Sequence, residues 1–301
     1  MLDLIIRNGT VIDGTGSPKF KADIGIQDDL VIRIGEVTDS ASSEINASGS
    51  VVTPGFIDLH THSDNSFLID PLADSKLTQG VTFELMGNCG MSFCAPLNSE
   101  TIDDFNNRTN KYDPDYKPGW ATMDGYLSAL ENTGSTINIA AQVGHGTVRR
   151  SVMGMEPRMP TPEQLDRMKG LIADSLDAGA LGMSTGLWYA PGSYSLADEV
   201  IAVTQPAADR GKLYSSHIRS EADDLSGLFP AHAEAIEIGR RTGARIQISH
   251  VKAVGPQFWG RGHELVEGME RARNEGIDVA GDQYPYEWSS TGFSGAMFPR
   301  W

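Results

Sequence analysis

The pattern of apolar and polar positions changes near residue 52. Before that point, short apolar runs end in turn signals: Leu4-Ile5-Ile6 precedes Asn8-Gly9, and Val11-Ile12 precedes Asp13-Gly14. Apolar runs closed by Asn-Gly or Asp-Gly pairs are typical of β-strands joined by tight turns. The pattern therefore predicts a small β-rich unit over residues 1–52.

From residue 53 to residue 301, apolar runs alternate with longer helix-compatible stretches such as 162–178 and 229–242. This alternation predicts βα units and a parallel sheet. A single α/β barrel commonly takes roughly 250 residues, which suits the length of this second segment. Seven runs have strand character: 55–60, 81–86, 137–143, 180–184, 213–217, 245–249 and 277–280.

The segment 96–126 is rich in Pro, Asn, Asp and Gly and has no clear apolar period. We interpret it as a long irregular insertion between the second and third strands. Loops of that length often carry function.

Composition narrows the possible partners and the compartment. The net charge of −16 and the sequence pI near 4.7 would repel nucleic acid and anionic membrane surfaces, so neither is an expected partner. Two cysteines and no apolar leader or spanning segment favour a soluble, cytoplasmic protein in a reducing compartment.

Histidines gather where the predicted strands end. His60 and His62 stand two apart and would leave the same face of an extended strand, while His217 and His250 each close an apolar run. A lone histidine of this kind is more often an ordinary hydrogen-bonding residue than a ligand. However, the carboxyl ends of parallel strands meet at one face, and four such positions converging there predict a metal site.

Cys89 follows the second barrel strand between Gly87 and Gly90, which indicate a sharp turn that exposes the thiol. It is either a soft metal ligand or a small buried apolar residue. Cys94 lacks this setting, so we interpret it as structural. A thiolate beside two imidazoles favours zinc, although other divalent ions remain open.

Several motifs together resemble one family, the N-acyl-D-amino-acid deacylases, or D-aminoacylases, of the metal-dependent amidohydrolase superfamily. The motifs are P-G-F-I-D-L-H-T-H-S-D, G-V-T-F-E-L-M-G-N-C-G, G-H-G-T-V-R, S-S-H-I-R-S-E, I-S-H-V-K and D-Q-Y-P-Y. The first is shared across amidohydrolases generally, whereas G-N-C-G together with H-I-R-S-E is narrower and points to this branch. The resemblance spans nearly the whole chain. It implies a TIM-like (β/α)8 barrel with a small β-sandwich portion.

The resemblance also implies roles for individual residues. Cys89, His217 and His250 would hold one tightly bound Zn²⁺, and His60 and His62 would form a second, weaker site. Related hydantoinases and dihydroorotases usually carry a bridging lysine, and the strand at 180–184 has none.

Lys252 is expected to contact the substrate, and the resemblance implies Tyr284 and Ser290 as further contacts. Lys252 would pair with a substrate carboxylate, unless it is an ordinary surface lysine. His145, which lies between two glycines, either helps to hold the substrate carbonyl or marks a tight turn. Arg219 and Glu221 either contribute to substrate binding or form an ion pair that braces the loop after His217.

The sequence departs from the family in its length. The aspartate that serves the family as general base follows an eighth barrel strand, which would lie beyond residue 301. We therefore expect an incomplete barrel of about seven strands with unpaired edges and low stability. Asp282, which follows the seventh strand, matches no such catalytic position.

These observations predict zinc-dependent hydrolysis of N-acyl-D-amino acids to a carboxylate and a free D-amino acid, with weak or absent turnover by the 301-residue chain. Two alternatives stay open. One is an amidohydrolase that acts on cyclic amides or D-peptides, and the other is a non-catalytic zinc-binding fragment.

Overall fold

The computed structural model describes residues 1–223 and 226–293. The chain separates into two compact units, Met1–Phe56 and the part from Ile57 onward. In the described residues, no helix is both long and apolar enough to span a bilayer.

The first unit is a five-stranded sheet. Its strands are β1 (Leu2–Val11), β2 (Phe20–Gln27), β3 (Leu30–Gly35), β4 (Ala41–Asn46) and β5 (Val51–Val52). The order is β3-β2-β1-β4, with β5 also paired to β1. Strands β2 and β3 are antiparallel to their neighbours, whereas β4 and β5 run parallel to β1.

The second unit contains a seven-stranded sheet in the order β12-β11-β10-β9-β8-β7-β6. Each register from β7 to β12 is parallel. The strands are β6 (Phe56–Asp58), β7 (Val81–Met86), β8 (Asn138–Gly144), β9 (Gly182–Gly186), β10 (Leu213–His217), β11 (Arg245–Ile248) and β12 (Val279–Gly281). Each lies within two or three residues of a predicted strand, and the predicted incomplete α/β barrel is confirmed.

Nine helices accompany this sheet in the described residues, together with two short 3-10 helices. The helices are α1 (Ser66–Ile69), α2 (Asp74–Leu77), α3 (Ile102–Thr109), α4 (Met123–Thr133), α5 (His145–Met153), α6 (Pro162–Asp177), α7 (Ala197–Asp209), α8 (Leu228–Thr242) and α9 (Gly262–Asn274), and the 3-10 helices are Gly192–Tyr194 and Pro256–Phe258.

Helix α6 shows why the helices form where they do. Thr161 and Gln164 make a reciprocal capping box, in which each side chain accepts a hydrogen bond from the other residue's backbone N–H. Pro162 supplies the fixed φ of a first helical position. Met168 and Ile172, four residues apart, are both fully buried, so the helix presents one apolar stripe to the core.

The segment 96–126 is more regular than predicted. It contains α3 and the first turn of α4. Asn106 and Asn107 are weak helix formers, so local propensity hides α3. The helix is stabilised instead by tertiary packing, because Phe105 is fully buried and its ring centroid lies 6.0 Å from that of Trp120.

Candidate metal centre

Four side chains from four strand ends meet at the carboxyl edge of the parallel sheet. His60 follows β6, Cys89 follows β7, His217 ends β10 and His250 follows β11. The Cys89 Sγ lies 3.3 Å from His60 Nε2 and 3.6 Å from His250 Nε2. The ring centroids of His217 and His250 are 4.5 Å apart.

The ligand atoms form two overlapping groups, Cys89 with His217 and His250, and Cys89 with His60 and His62. Within each group all atoms lie within 4.8 Å of one another. The structure thus brings together the five residues that the sequence indicated as ligands, and Cys89 is common to both groups.

The backbone at two of these residues is strained. Cys89 and His250 have φ of 54° and 37°, in the left-handed region that non-glycine residues rarely adopt. Gly87 and Gly90 form the predicted sharp turn, and a Cβ at Gly87 would lie 2.2 Å from the carbonyl oxygen of Gln142. The turn does not expose the thiol as expected, because Cys89 is only 5% exposed. Strain of this kind is concentrated at functional sites.

The ring nitrogens of His217 indicate whether the site suits a cation. His217 is 4% exposed, and neither ring nitrogen has a hydrogen-bond partner among the described residues. Burial lowers its pKa well below the ordinary value, which keeps the imidazole neutral and able to ligate. Buried polar atoms are normally bonded. A zinc ion between His217, His250 and the Cys89 sulfur would give one of these nitrogens a partner, so the residues fit the metal.

Two carboxylates orient the imidazoles. Glu221 Oε1 lies 2.8 Å from His250 Nδ1 and 2.6 Å from Lys252 Nζ. Burial alone would raise the pKa of Glu221, but contact with His250 and the positive charges around it lower that pKa to about 2. Glu221 is therefore ionised, and it leaves His250 Nε2 directed towards Cys89. This is the arrangement that commonly fixes a metal-binding histidine.

Asp282 acts on the same groups from β12. Its Oδ1 accepts a hydrogen bond from the His250 backbone N–H at 2.6 Å and lies 3.3 Å from His60 Nδ1. Its Oδ2 accepts a hydrogen bond from Gln247 Nε2 at 2.9 Å. The carboxylate therefore braces the strained backbone of His250 and directs His60 Nε2 towards Cys89.

The suggested Arg219–Glu221 ion pair is not formed. Arg219 instead pairs with Glu234 of α8, with two nitrogen–oxygen distances of 2.9 Å. Glu234 lies 15 positions from Arg219 in the sequence, and only the fold brings the two side chains together. The role of Glu221 at His250 was missed because these residues are 29 positions apart.

Two cavities open beside the cluster. The first, of about 540 Å³, is lined by residues that include His62, Cys89, Arg108, Trp188 and Ser290. The second, of about 570 Å³, is lined by residues that include His250, Lys252 and Tyr284. Lys252 Nζ lies 5.6 Å from the centroid of the Tyr284 ring. The expected substrate contacts are thus divided between the two sides of the cluster.

His145 lies elsewhere. Its ring is fully buried, and Nε2 lies 3.2 Å from Oε1 of Glu199. The same oxygen accepts hydrogen bonds from Arg149 Nε at 3.0 Å and from Ser195 Oγ at 2.8 Å. His145 and Glu199 belong to a buried ionic network between α5 and α7, which no local pattern of the sequence indicates.

Comparison with known proteins identifies the family. Residues 43–291 match the model of the Amidohydrolase family. The chain belongs to this family. The amidohydrolase chain is 39% identical over 292 residues to N-acyl-D-glutamate deacylase of Alcaligenes xylosoxydans xylosoxydans and 36% identical over 293 residues to D-aminoacylase of the same organism.

Solved structures agree with this assignment. The amidohydrolase chain superposes with a TM-score of 0.84 on N-acyl-D-glutamate deacylase of Bordetella bronchiseptica, solved with zinc and a phosphonate mimic of the tetrahedral intermediate, at 39% identity. It superposes with a TM-score of 0.86 on a D-aminoacylase structure that describes a binuclear metal centre, at 36% identity. In both cases 95% of this chain and 59% of the other are covered.

The match covers only part of each curated relative. It includes 96% of this chain but only 58% of the length of each relative. The amidohydrolase chain therefore spans somewhat more than half of the proteins that it resembles.

Proposed function

We propose that the protein hydrolyses the amide bond of N-acyl-D-amino acids, giving a carboxylate and a free D-amino acid, with zinc as its cofactor. The observation that carries the proposal is the group of Cys89, His217 and His250 beside an open cavity in an amidohydrolase chain. The names of the two curated relatives, N-acyl-D-glutamate deacylase and D-aminoacylase, support both the linear amide and its D stereochemistry.

Cys89, His217 and His250 hold the tight zinc, because they are buried and their ligand atoms converge. His60 and His62 form the weaker site, since His62 is exposed and Cys89 must be shared with the first group. Zinc in such a site lowers the pKa of bound water and polarises a carbonyl. Residues 53–301 form the catalytic unit, and the two free cysteines, Cys89 and Cys94, fit a reducing cytoplasm.

The chain's own residues orient the substrate. Lys252, which is part-buried beside Tyr284, binds the α-carboxylate through a charge-assisted contact. Ser290 lines the first cavity and donates to the substrate from the opposite side. We assign His145 to positioning the wall of this cavity, because its neighbour Gly146 lines the cavity.

The test uses two proteins, because the chain spans only 58% of the length of its curated relatives. The first is the zinc-loaded chain. The second, the extended protein, is a fusion of this chain to the C-terminal part of the N-acyl-D-glutamate deacylase relative. Each is incubated with N-acetyl-D- and N-acetyl-L-amino acids and with a hydantoin, and the released amine is measured. The extended protein should release amine from the D-configured acyl amino acids.

Hydrolysis of the hydantoin alone would favour the cyclic-amide alternative. No hydrolysis of any compound by the zinc-loaded extended protein would overturn the proposed activity.

A further inference from the structure

The first cavity contains two arginines in different situations. Arg150 forms an ion pair with Asp104, which also lines the cavity. Arg108 lines the same cavity, yet no carboxylate among the described residues is in ion-pair contact with it. Asp64 and Asp104 attract Arg108 only through space. The cavity therefore presents one cation whose charge is not matched by a direct partner.

In the part of the chain that the structure describes, an aromatic ring and no hydrogen-bond acceptor holds the guanidinium of Arg108. Its guanidinium carbon lies 3.4 Å from the centroid of the Phe93 ring, and Phe93 is only 8% exposed. An arginine stacked on an aromatic face keeps its N–H groups free at the rim to bind an anion in the ring plane. The head group is therefore fixed before any ligand arrives.

A simpler explanation is that Arg108 only stabilises a helix terminus. It lies in the last turn of α3, where a cation interacts favourably with the helix dipole. That effect accounts for a basic residue at this turn. It does not account for a partly buried head group that lies on an aromatic ring inside the cavity that also contains Cys89 and His62.

The two cavities place cations on opposite sides of the metal cluster. Lys252 lines the cavity that contains His250, whereas Arg108 lines the cavity that contains His62 and Cys89. A substrate whose scissile amide lies at the cluster would extend into both. If Lys252 takes the α-carboxylate, the other end of the molecule meets Arg108.

We propose that Arg108 binds a second carboxylate of the substrate, so that the protein selects dianionic N-acyl-D-amino acids. This inference rests on the proposed function. The second carboxylate has two possible sources, the side chain of an acidic D-amino acid and the distal end of a dicarboxylic acyl group. Both present the same planar anion to the guanidinium, which can bind it through two parallel hydrogen bonds.

The test measures dissociation constants of the zinc-loaded chain by calorimetry. The ligands are N-acetyl-D-glutamate, N-succinyl-D-leucine and N-acetyl-D-leucine, of which only the last has a single carboxylate. Arg108→Gln should weaken binding of at least one dianion by about 10- to 100-fold, the range for a hydrogen-bonded charge pair. Binding of N-acetyl-D-leucine should change less than about twofold.

Arg167→Gln is the matched control, because it removes the same charge from an exposed position on α6. It should leave all three constants unchanged. Arg108→Lys keeps the charge but loses the planar fork, so an intermediate loss for the dianion supports the proposal even if Arg108→Gln folds poorly. Zinc content and circular dichroism check the fold of each variant.

The pattern of losses identifies the source of the anion. A loss limited to N-acetyl-D-glutamate assigns the side chain, and one limited to N-succinyl-D-leucine assigns the acyl group. An equal loss for all three ligands would mean that Arg108 binds the shared α-carboxylate, and no loss would mean that it binds no substrate carboxylate. Either result overturns the inference alone. If the unaltered chain binds none of the ligands, the inference fails, and hydrolysis by the extended protein decides the proposed function separately.

Discussion

Cys89 belongs to both candidate ligand groups, which makes it the residue on which the metal centre depends most. Its thiol is buried, and burial raises its pKa, so the metal-free protein holds a neutral thiol there. A bound cation reverses that preference, because a coordinating thiol loses its proton.

Replacing Cys89 by alanine should therefore remove the tightly bound zinc. The expected result is a fall from about one zinc per chain to nearly none, measured by elemental analysis after gel filtration. Cys94→Ala is the matched control, because Cys94 is equally buried but lies outside both ligand groups. A Cys89→Ala protein that keeps a full equivalent of zinc would contradict the ligand assignment.

Glu221 offers a second test at the same scale. Glu221→Gln removes the negative charge beside His250 Nδ1 and should weaken zinc binding by about 10- to 100-fold. Competition with a chromogenic chelator measures the change. Glu234→Gln, which disturbs only the Arg219 pair, should leave zinc affinity unaltered. Similar losses in both variants would show that general disturbance of the loop, not orientation of His250, is responsible.

Some of these residues could be recognised from the sequence and others could not. His60, His62, Cys89, His217 and His250 follow apolar runs, and the end of a buried strand is a local property of the sequence. The partners Glu221 and Asp282 are separated from His250 by 29 and 32 positions, and only the fold determines which carboxylate reaches which ring. The buried pair of His145 and Glu199 shows the same limit.

Among the elements, the strands were easier to predict than the insertion. The strands of the second unit are short apolar runs flanked by turns, so pattern alone indicates them. Helix α3 depends on contacts between Phe105 and the aromatic residues Tyr116 and Trp120, which lie later in the chain. Those contacts have no counterpart in local propensity.

Two substitutions in and next to helix α6 should change the free energy of unfolding in opposite directions. Thr161→Ala removes the capping box and should lower the free energy of unfolding by about 1 kcal/mol. Gly170→Ala should raise it by about 0.5–1 kcal/mol, because Gly170 is exposed in the helix and an added Cβ meets no atom within 4 Å. Urea unfolding measures both. No shift in either variant would show that α6 does not unfold together with the rest of the unit.

At the scale of the whole molecule, the alternation of strands and helices predicted the fold class, and the family resemblance supplied the incomplete barrel. The curvature of the sheet could not be obtained in that way. It is visible in the contact between His60 and Asp282, which follow the two edge strands β6 and β12. A contact between residues 222 positions apart is a property of the folded sheet alone.

Global stability should also depend on pH through His232. This residue of α8 is 4% exposed, its Nε2 has no partner among the described residues, and burial lowers its pKa to about 4 from 6.5. Between those two values the unfolded chain takes up a proton that the folded protein excludes. Stability should therefore fall as the pH decreases from about 6.5 to 4, by at most about 3 kcal/mol.

The His232→Gln variant should lose this part of the acid sensitivity. Urea midpoints of the zinc-free protein at pH 7 and pH 5 measure it, and chelator prevents any contribution from metal release. His263→Gln, at an exposed position, is the control. Parallel pH profiles for the unaltered chain and His232→Gln would contradict the prediction.

The contact between His60 and Asp282 also reports the distance between the two edge strands, β6 and β12. A further strand inserted between β6 and β12 would hold their backbones about 10 Å apart, twice the usual spacing of neighbouring strands. The imidazole would then exchange its carboxylate for another neighbour. The NMR resonances of the His60 ring protons should therefore shift when a complementing polypeptide pairs with β6 and β12. This histidine would then report closure of the barrel.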